Sequence, residues 1–273
     1  MMRARRIAGA LGAEISGVDL SRPLPREQRA ELRRLWLEHL VVFFRDQDLT
    51  PQQFMAFAAQ FGEPVEYPLV QGLPDHPMII EVKKLEHERV AFGGIWHTDT
   101  AYLERPPMAS MLLAREVPPA GGDTLFANMY LAFESLSAGM RNLLLGLRAV
   151  NSSTKADASK TREDRIRTGA KEKSDFIAEH PVVRTHPETG RKALYVNSGH
   201  TVRFAGWTEE ESAPLLKFLF DFQTRPEFTC RFGWQPGSLA LWDNRCAQHN
   251  PVNDYHGHRR VMHRITLAGD VPA

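Results

Sequence analysis

From Pro64 onward the chain is cut into short β-prone runs separated by glycine and proline, and this texture limits its fold more than any other feature. The runs fall at 78–82, 109–115, 124–128, 193–197, 228–234, 238–242 and 261–268. Pro118-Pro119, Gly121-Gly122 and Pro236-Gly237 stand between them, because proline pre-sets a turn and glycine reaches backbone angles closed to other residues. Many short strands with such turns predict an antiparallel sandwich or barrel.

Helices frame and interrupt this pattern. Residues 9–20 read as short extended pieces broken by Gly12 and Gly17. Leu32, Leu35, Trp36, Leu37 and Leu40 then recur at helical spacing over 25–40. A β-prone run at 41–44 and a turn at 46–48 follow. Thr50-Pro51 supplies an N-cap with proline at the first helical position, for a helix to about 61 that Gly62 and Pro64 end. Further helices are expected at 130–147 and at 208–224, where Thr208 and Glu211 form a capping-box pattern. Residues 151–173 are rich in Ser, Thr, Lys, Arg and Asp and nearly lack large apolar side chains. Such a composition predicts a solvated loop, and long loops in compact enzymes are often lids, so 151–178 is the expected mobile lid of a single domain, 1–273.

Composition excludes several function classes. Of 273 residues, 42% are hydrophobic and 25% charged, the profile of a soluble globular protein. A net charge of +1 argues against a general nucleic-acid binder, which shows a basic excess. No run approaches the roughly 20 apolar residues of a membrane span, and the N-terminus lacks a signal-peptide core. Two cysteines, Cys230 and Cys246, are too few for a disulfide framework and fit a reducing compartment. The cytoplasm is therefore expected, with no membrane or nucleic-acid partner.

Trp96-His97-Thr98-Asp99 sets an imidazole and a carboxylate two residues apart, and in an extended segment such positions share a face. An H-x-D pair alone is weak evidence. His249, directly after a β-prone run, supplies a third donor. Two histidines and one carboxylate suit iron(II) and leave coordination positions open. Zinc is the rival metal, since three protein ligands and a water also describe catalytic zinc, and the triad alone leaves both open. A zinc hydrolase is accordingly the alternative function. Downstream, Arg260 and Arg264 are four apart and share a face in a strand, whereas Arg259 and His263 point the other way. A guanidinium binds carboxylates through a planar fork, so two of them near a metal suggest two anionic groups held there. Cys246 is expected to be a small buried residue rather than a fourth ligand.

The chain resembles the taurine dioxygenase and 2,4-dichlorophenoxyacetate dioxygenase family of iron(II)/2-oxoglutarate enzymes. The resemblance runs through LGAEISGVDLSRPL, VVFFRDQDLTPQQ, WHTD, PPAGGDTLFANM, HPVVRTHPETGRKALYVN, WQPGSLALWDNRCAQH and RRVMHRITLAGD, nearly the whole chain. It implies a double-stranded β-helix, a jelly-roll core with flanking helices. It implies His97, Asp99 and His249 as iron ligands, and Thr124 and Arg260 as the hold on the distal carboxylate of 2-oxoglutarate. Arg264 matches an arginine that grips the substrate's anionic group in the taurine enzyme. The chain departs from that enzyme at Tyr67, at Gly93-Gly94 and at His200, positions implied to line the substrate pocket. Taurine is therefore not the expected substrate. An alkyl sulfate, another sulfonate or an aryloxyalkanoate fits better, hydroxylated as 2-oxoglutarate and O2 become succinate and CO2. The partners implied are this small anionic substrate and, for assembly, a homo-oligomer, either dimer or tetramer.

Overall fold

The computed structural model describes residues 2–68, 70–91, 93–155 and 176–273. The N-terminal part comprises β1 (Arg3–Arg6), β2 (Ala13–Ser16), α1 (Arg26–His39), β3 (Val41–Phe44), α2 (Pro51–Ala58) and β4 (Pro64–Val65). Next come β5 (Ile80–Lys84), β6 (Ala109–Glu116), β7 (Thr124–Asn128), α3 (Met129–Glu134), α4 (Ala138–Leu145) and β8 (Arg148–Ser152). The chain continues with β9 (Ile177–Pro181), β10 (Val183–Thr185), β11 (Lys192–Leu194), β12 (Thr201–Phe204) and α5 (Glu209–Gln223). It closes with β13 (Thr229–Phe232), β14 (Leu239–Asp243), β15 (Ala247–Pro251) and β16 (Arg260–Leu267).

Eight strands form one mixed sheet in the order β1-β2-β3-β14-β6-β16-β4, with β5 also paired to β16. A three-stranded sheet, β13-β7-β15, faces it. This is a jelly-roll arrangement, although among the described residues the sheets stay open and do not close into a continuous barrel. Two apolar cores sandwich the large sheet, and the period-2 alternation of its strands feeds both. Val41, Phe43, Ala240, Trp242, Leu112 and Met262 point inward to the small sheet. Val42, Phe44, Leu239, Leu241, Leu113 and Ile265 point outward to Trp36, Phe54 and Phe57 of α1 and α2. That two-sided burial explains why β3 reads VVFF, without polar alternation. Within the inner core Phe43 stacks on Phe232 with ring centroids 3.9 Å apart. Truncating either ring to alanine would cost about 3–5 kcal/mol.

The Thr208–Glu211 capping box forms on α5 as expected, and Thr50 caps α2 as expected, adding a capping box with Gln53. The helix expected at 130–147 is instead two helices. Asn128 caps α3 and Ser137 caps α4, so Ser135-Leu136-Ser137 breaks the run where hydroxyl side chains compete for backbone donors. The expected lid at 151–178 is also corrected at both ends. Asn151 and Ser152 finish β8 and pair with Ala178 and Ile177 of β9, so these residues belong to a ladder. Residues 156–175 of that expectation lie outside the described residues. No described helix is long and apolar enough to cross a membrane.

Candidate metal centre

The inner face of β16 and the end of β15 meet over one cleft. β14 and β15 are joined by the short connection Asn244-Arg245-Cys246, which carries the chain from the large sheet to the small one and delivers His249 opposite Phe126. The segment with His97 and Asp99 belongs to no strand, yet an isolated bridge ties it to β15. His97 N donates to His249 O at 3.0 Å and His249 N donates to His97 O at 2.9 Å. Backbone pairing thus brings together ligands 152 positions apart in sequence (249 − 97).

His97 Nε2 lies 3.6 Å and His249 Nε2 3.7 Å from Asp99 Oδ1. All three ligand atoms lie within 4.8 Å of one another, and all three residues are buried. His97 Nδ1 sits 2.7 Å from Ile95 O, which requires a proton on Nδ1 and leaves the Nε2 lone pair facing the carboxylate. A carbonyl partner of this kind fixes tautomer and ring orientation in metal-bound histidines. Burial, together with the neighbouring His97, holds His249 well below the ordinary imidazole value and so favours its neutral form. Burial alone would raise Asp99, but Arg264 above all, then His249 and His97, hold it well below the usual carboxylate range. Two imidazoles converging on an ionised carboxylate form the donor set of a facial iron(II) site, and these residues fit that ion.

The other Asp99 oxygen is fully engaged. Oδ2 accepts from Ser110 Oγ at 2.5 Å and pairs with Arg264 Nη2 at 2.8 Å. Ser110 Oγ in turn accepts from Asn244 Nδ2 at 3.0 Å, and Asn244 Oδ1 accepts from Trp242 Nε1 at 2.9 Å. This buried relay locks the carboxylate so that Oδ1 alone is presented to a metal. Sequence reading missed Ser110 and Asn244. The available signals were a hydroxyl inside the apolar run of β6 and the asparagine of the quoted WDNR stretch.

The cleft spans about 440 Å³, part of it open to solvent. His97 and His249 line it with Thr124, Arg260 and Arg264, against apolar walls from Val82, Leu112, Trp242 and Pro251. Gly93 also lines it at φ +68°, and a Cβ there would come within 3.0 Å of His97 Cε1, so glycine keeps room for the ligand ring. Thr124 Oγ1 accepts from Trp234 Nε1 at 3.0 Å. Arg260 is buried with Nε and Nη2 lacking a hydrogen-bond partner among the described residues. Arg264 shares its face of the strand but reaches Asp99 and lies over the Tyr67 ring at 5.1 Å. As expected for outward positions, Arg259 pairs with Glu116 at 3.3 Å and His263 Nδ1 accepts from Arg115 at 3.1 Å. His200 packs against His97 with ring centroids 5.9 Å apart, and edge-on to Tyr102 at 5.0 Å. Cys246 and Cys230 are free, buried thiols, both pushed upward by burial, and Cys246 lies away from the triad.

Comparison with known proteins agrees with this site. The family model described as "Taurine catabolism dioxygenase TauD, TfdA family" matches residues 3–266. The chain is 37% identical to an alkylsulfatase of Acinetobacter baylyi, over 99% of this chain and 86% of that one. It is also 37% identical to an alpha-ketoglutarate-dependent sulfate ester dioxygenase of Pseudomonas putida, over 97% of this chain and 89% of the relative. A solved taurine dioxygenase from Burkholderia xenovorans superposes with a TM-score of 0.84 at 38% identity, covering 100% of this chain and 91% of that one. These relatives leave the zinc-hydrolase alternative without support. The chain belongs to the TauD, TfdA family and is a 2-oxoglutarate-dependent dioxygenase.

Proposed function

We propose that the chain hydroxylates a small organic anion, an alkyl sulfate or related sulfonate, at a carbon held beside the His97–Asp99–His249 centre. The observation that carries this reading is Arg260 and Arg264 on one face of β16, two buried guanidiniums bordering the metal cleft. Arg260, with Thr124 beside it, would hold the distal carboxylate of 2-oxoglutarate. Arg264 and Tyr67 would meet the substrate's anionic group. Iron(II) and 2-oxoglutarate, when bound, supply the oxidising chemistry with O2, leaving succinate, CO2 and a hydroxylated substrate.

The protein's contribution is positioning and exclusion of water. The Ser110–Asn244–Trp242 relay fixes Asp99, and Ile95 O fixes His97. Val82, Leu112 and Trp242 give an apolar wall against which the alkyl part of a substrate can pack. Where the hydroxylated carbon bears the sulfate oxygen, the C–O bond breaks with loss of the hydroxyl proton, giving an aldehyde and free sulfate.

The test supplies iron(II), 2-oxoglutarate and O2 with an alkyl sulfate, an alkanesulfonate, taurine or an aryloxyalkanoate. Succinate, aldehyde and sulfate are measured. Succinate formation stimulated most by the alkyl sulfate, with stoichiometric sulfate, is expected. Stimulation by the aryloxyalkanoate alone would overturn the proposed substrate class.

A further inference from the structure

β5 pairs with β16 antiparallel, and in that register Lys84 stands directly opposite Arg260. Directly opposed residues share a face of the sheet, and like charges so placed destabilise it. Here both are buried, Lys84 at 3% exposure and Arg260 at 5%. Neither forms an ion pair among the described residues, and Lys84 Nζ and Arg260 Nε and Nη2 have no hydrogen-bond partner. The Tyr255 ring is common to both, with Lys84 Nζ 4.4 Å and Arg260 Cζ 6.0 Å from its centroid. The acidic side chains whose fields reach the two cations are committed elsewhere. Glu88 accepts from Leu85 N at 2.6 Å, and Asp123 holds Arg231 at 2.6 Å.

Burying two unpaired cations side by side is costly unless an anion completes the site. Lys84, Tyr255 and Arg260 line a second hollow of about 260 Å³ that shares Val82, Pro251 and Arg260 with the metal cleft. A carboxylate offers two oxygens with about four lone-pair sites, enough for both a lysine and an arginine. Resting on the reading of the cleft as a 2-oxoglutarate site, we propose that Lys84 is a second cationic contact for the cosubstrate's distal carboxylate, acting with Arg260. The opposed cations are tolerated without ligand because Tyr255 offers each a π face, and they are neutralised when the dicarboxylate enters.

The test is calorimetric binding to the Mn(II)-loaded protein, comparing 2-oxoglutarate with 2-oxovalerate, which has the same carbon chain but a methyl for the distal carboxylate. Lys84→Met should weaken 2-oxoglutarate about tenfold or more, the loss of one charge-assisted bond, and leave 2-oxovalerate unchanged. Lys84→Arg should restore most of the 2-oxoglutarate affinity. Lys84→Gln serves in the same role should the Met variant not fold, as judged by circular dichroism. Unchanged 2-oxoglutarate affinity in Lys84→Met, or equal weakening of both ligands, would overturn the inference while leaving the cosubstrate site intact. No binding of 2-oxoglutarate to the wild-type protein would overturn the functional reading itself.

Discussion

Two buried clusters among the described residues hold histidine, carboxylate and a third donor within ligand distance of one another, and they have opposite chemistry. In the first, His97 and His249 turn Nε2 lone pairs toward Asp99 Oδ1, and the cleft opens onto them. In the second, His186, Asp243 and Cys246 are just as close, yet the imidazole and carboxylate lone pairs are spent. Arg245 grips both Asp243 oxygens, Nε on Oδ1 at 2.8 Å and Nη2 on Oδ2 at 2.7 Å. His186 Nε2 donates to Asp243 Oδ2 at 3.0 Å, while its Nδ1 accepts from the amides of Glu188 and Thr189 at 3.2 Å. Proximity of donor types therefore does not make a metal site; uncommitted lone pairs facing an open volume do. The closed cluster instead pins the β14–β15 connection that delivers His249.

The largest effect should come from His249→Ala or Asp99→Ala, which should abolish metal uptake and substrate oxidation while the protein stays folded. His186→Ala should keep metal uptake, read by Mn(II) titration of both variants. Metal loss in His186→Ala with His249→Ala unaffected would reverse the comparison.

Breaking the closed cluster should cost stability instead. Arg245→Ala strands a buried carboxylate, and such losses run to about 3–5 kcal/mol, measurable by urea unfolding at neutral pH. Burial would raise Asp243, but Arg245 and His186 hold it far below the usual carboxylate range. Its stabilising contribution is thus complete above the unfolded value of about 3.9 and fades only as pH falls through the depressed folded one. The difference between wild type and Arg245→Ala should persist at mildly acidic pH.

The next pair of substitutions divides the arginines of the open site. Arg260→Ala should raise KM for 2-oxoglutarate, and Arg264→Ala should chiefly raise KM for the primary substrate. Each lost charge-assisted contact is worth about 1.5–3 kcal/mol, or roughly tenfold to over a hundredfold. Arg264 also pairs with Asp99, so its variant should lose some kcat too. A rise confined to 2-oxoglutarate in Arg264→Ala would refute the division.

The smallest effect belongs outside both clusters. Burial, helped by Arg115, pushes His263 down to about 4. The unfolded chain therefore binds this proton first, so stability falls as pH drops from about 6.5 toward the folded value and then levels off. His263→Gln should remove that part of the slope in unfolding free energy, and an unchanged slope would show another group responsible.

Much of this protein was determined locally and could be read without coordinates. Thr124–Asn128 and Val41–Phe44 are strands as their composition demands, and Thr50 and Thr208 cap helices because side-chain oxygens satisfy free amides within three residues. His97 and Asp99 become candidates only once His249 and the family resemblance join their spacing, and Arg260 and Arg264 share a face because strand side chains alternate. What sequence could not supply was which polar groups are already spent. His200 packs against the ring of His97, Ser110 and Asn244 orient Asp99, and Arg245 closes the second cluster. Lys84 meets Arg260 only through the pairing of β5 with β16, across an interval of 176 positions (260 − 84). Hydrogen-bond commitment is set by partners brought together through long-range sheet registry. Local propensity carries no record of those partners, so the tertiary structure alone decided which buried donors and acceptors remain available for chemistry.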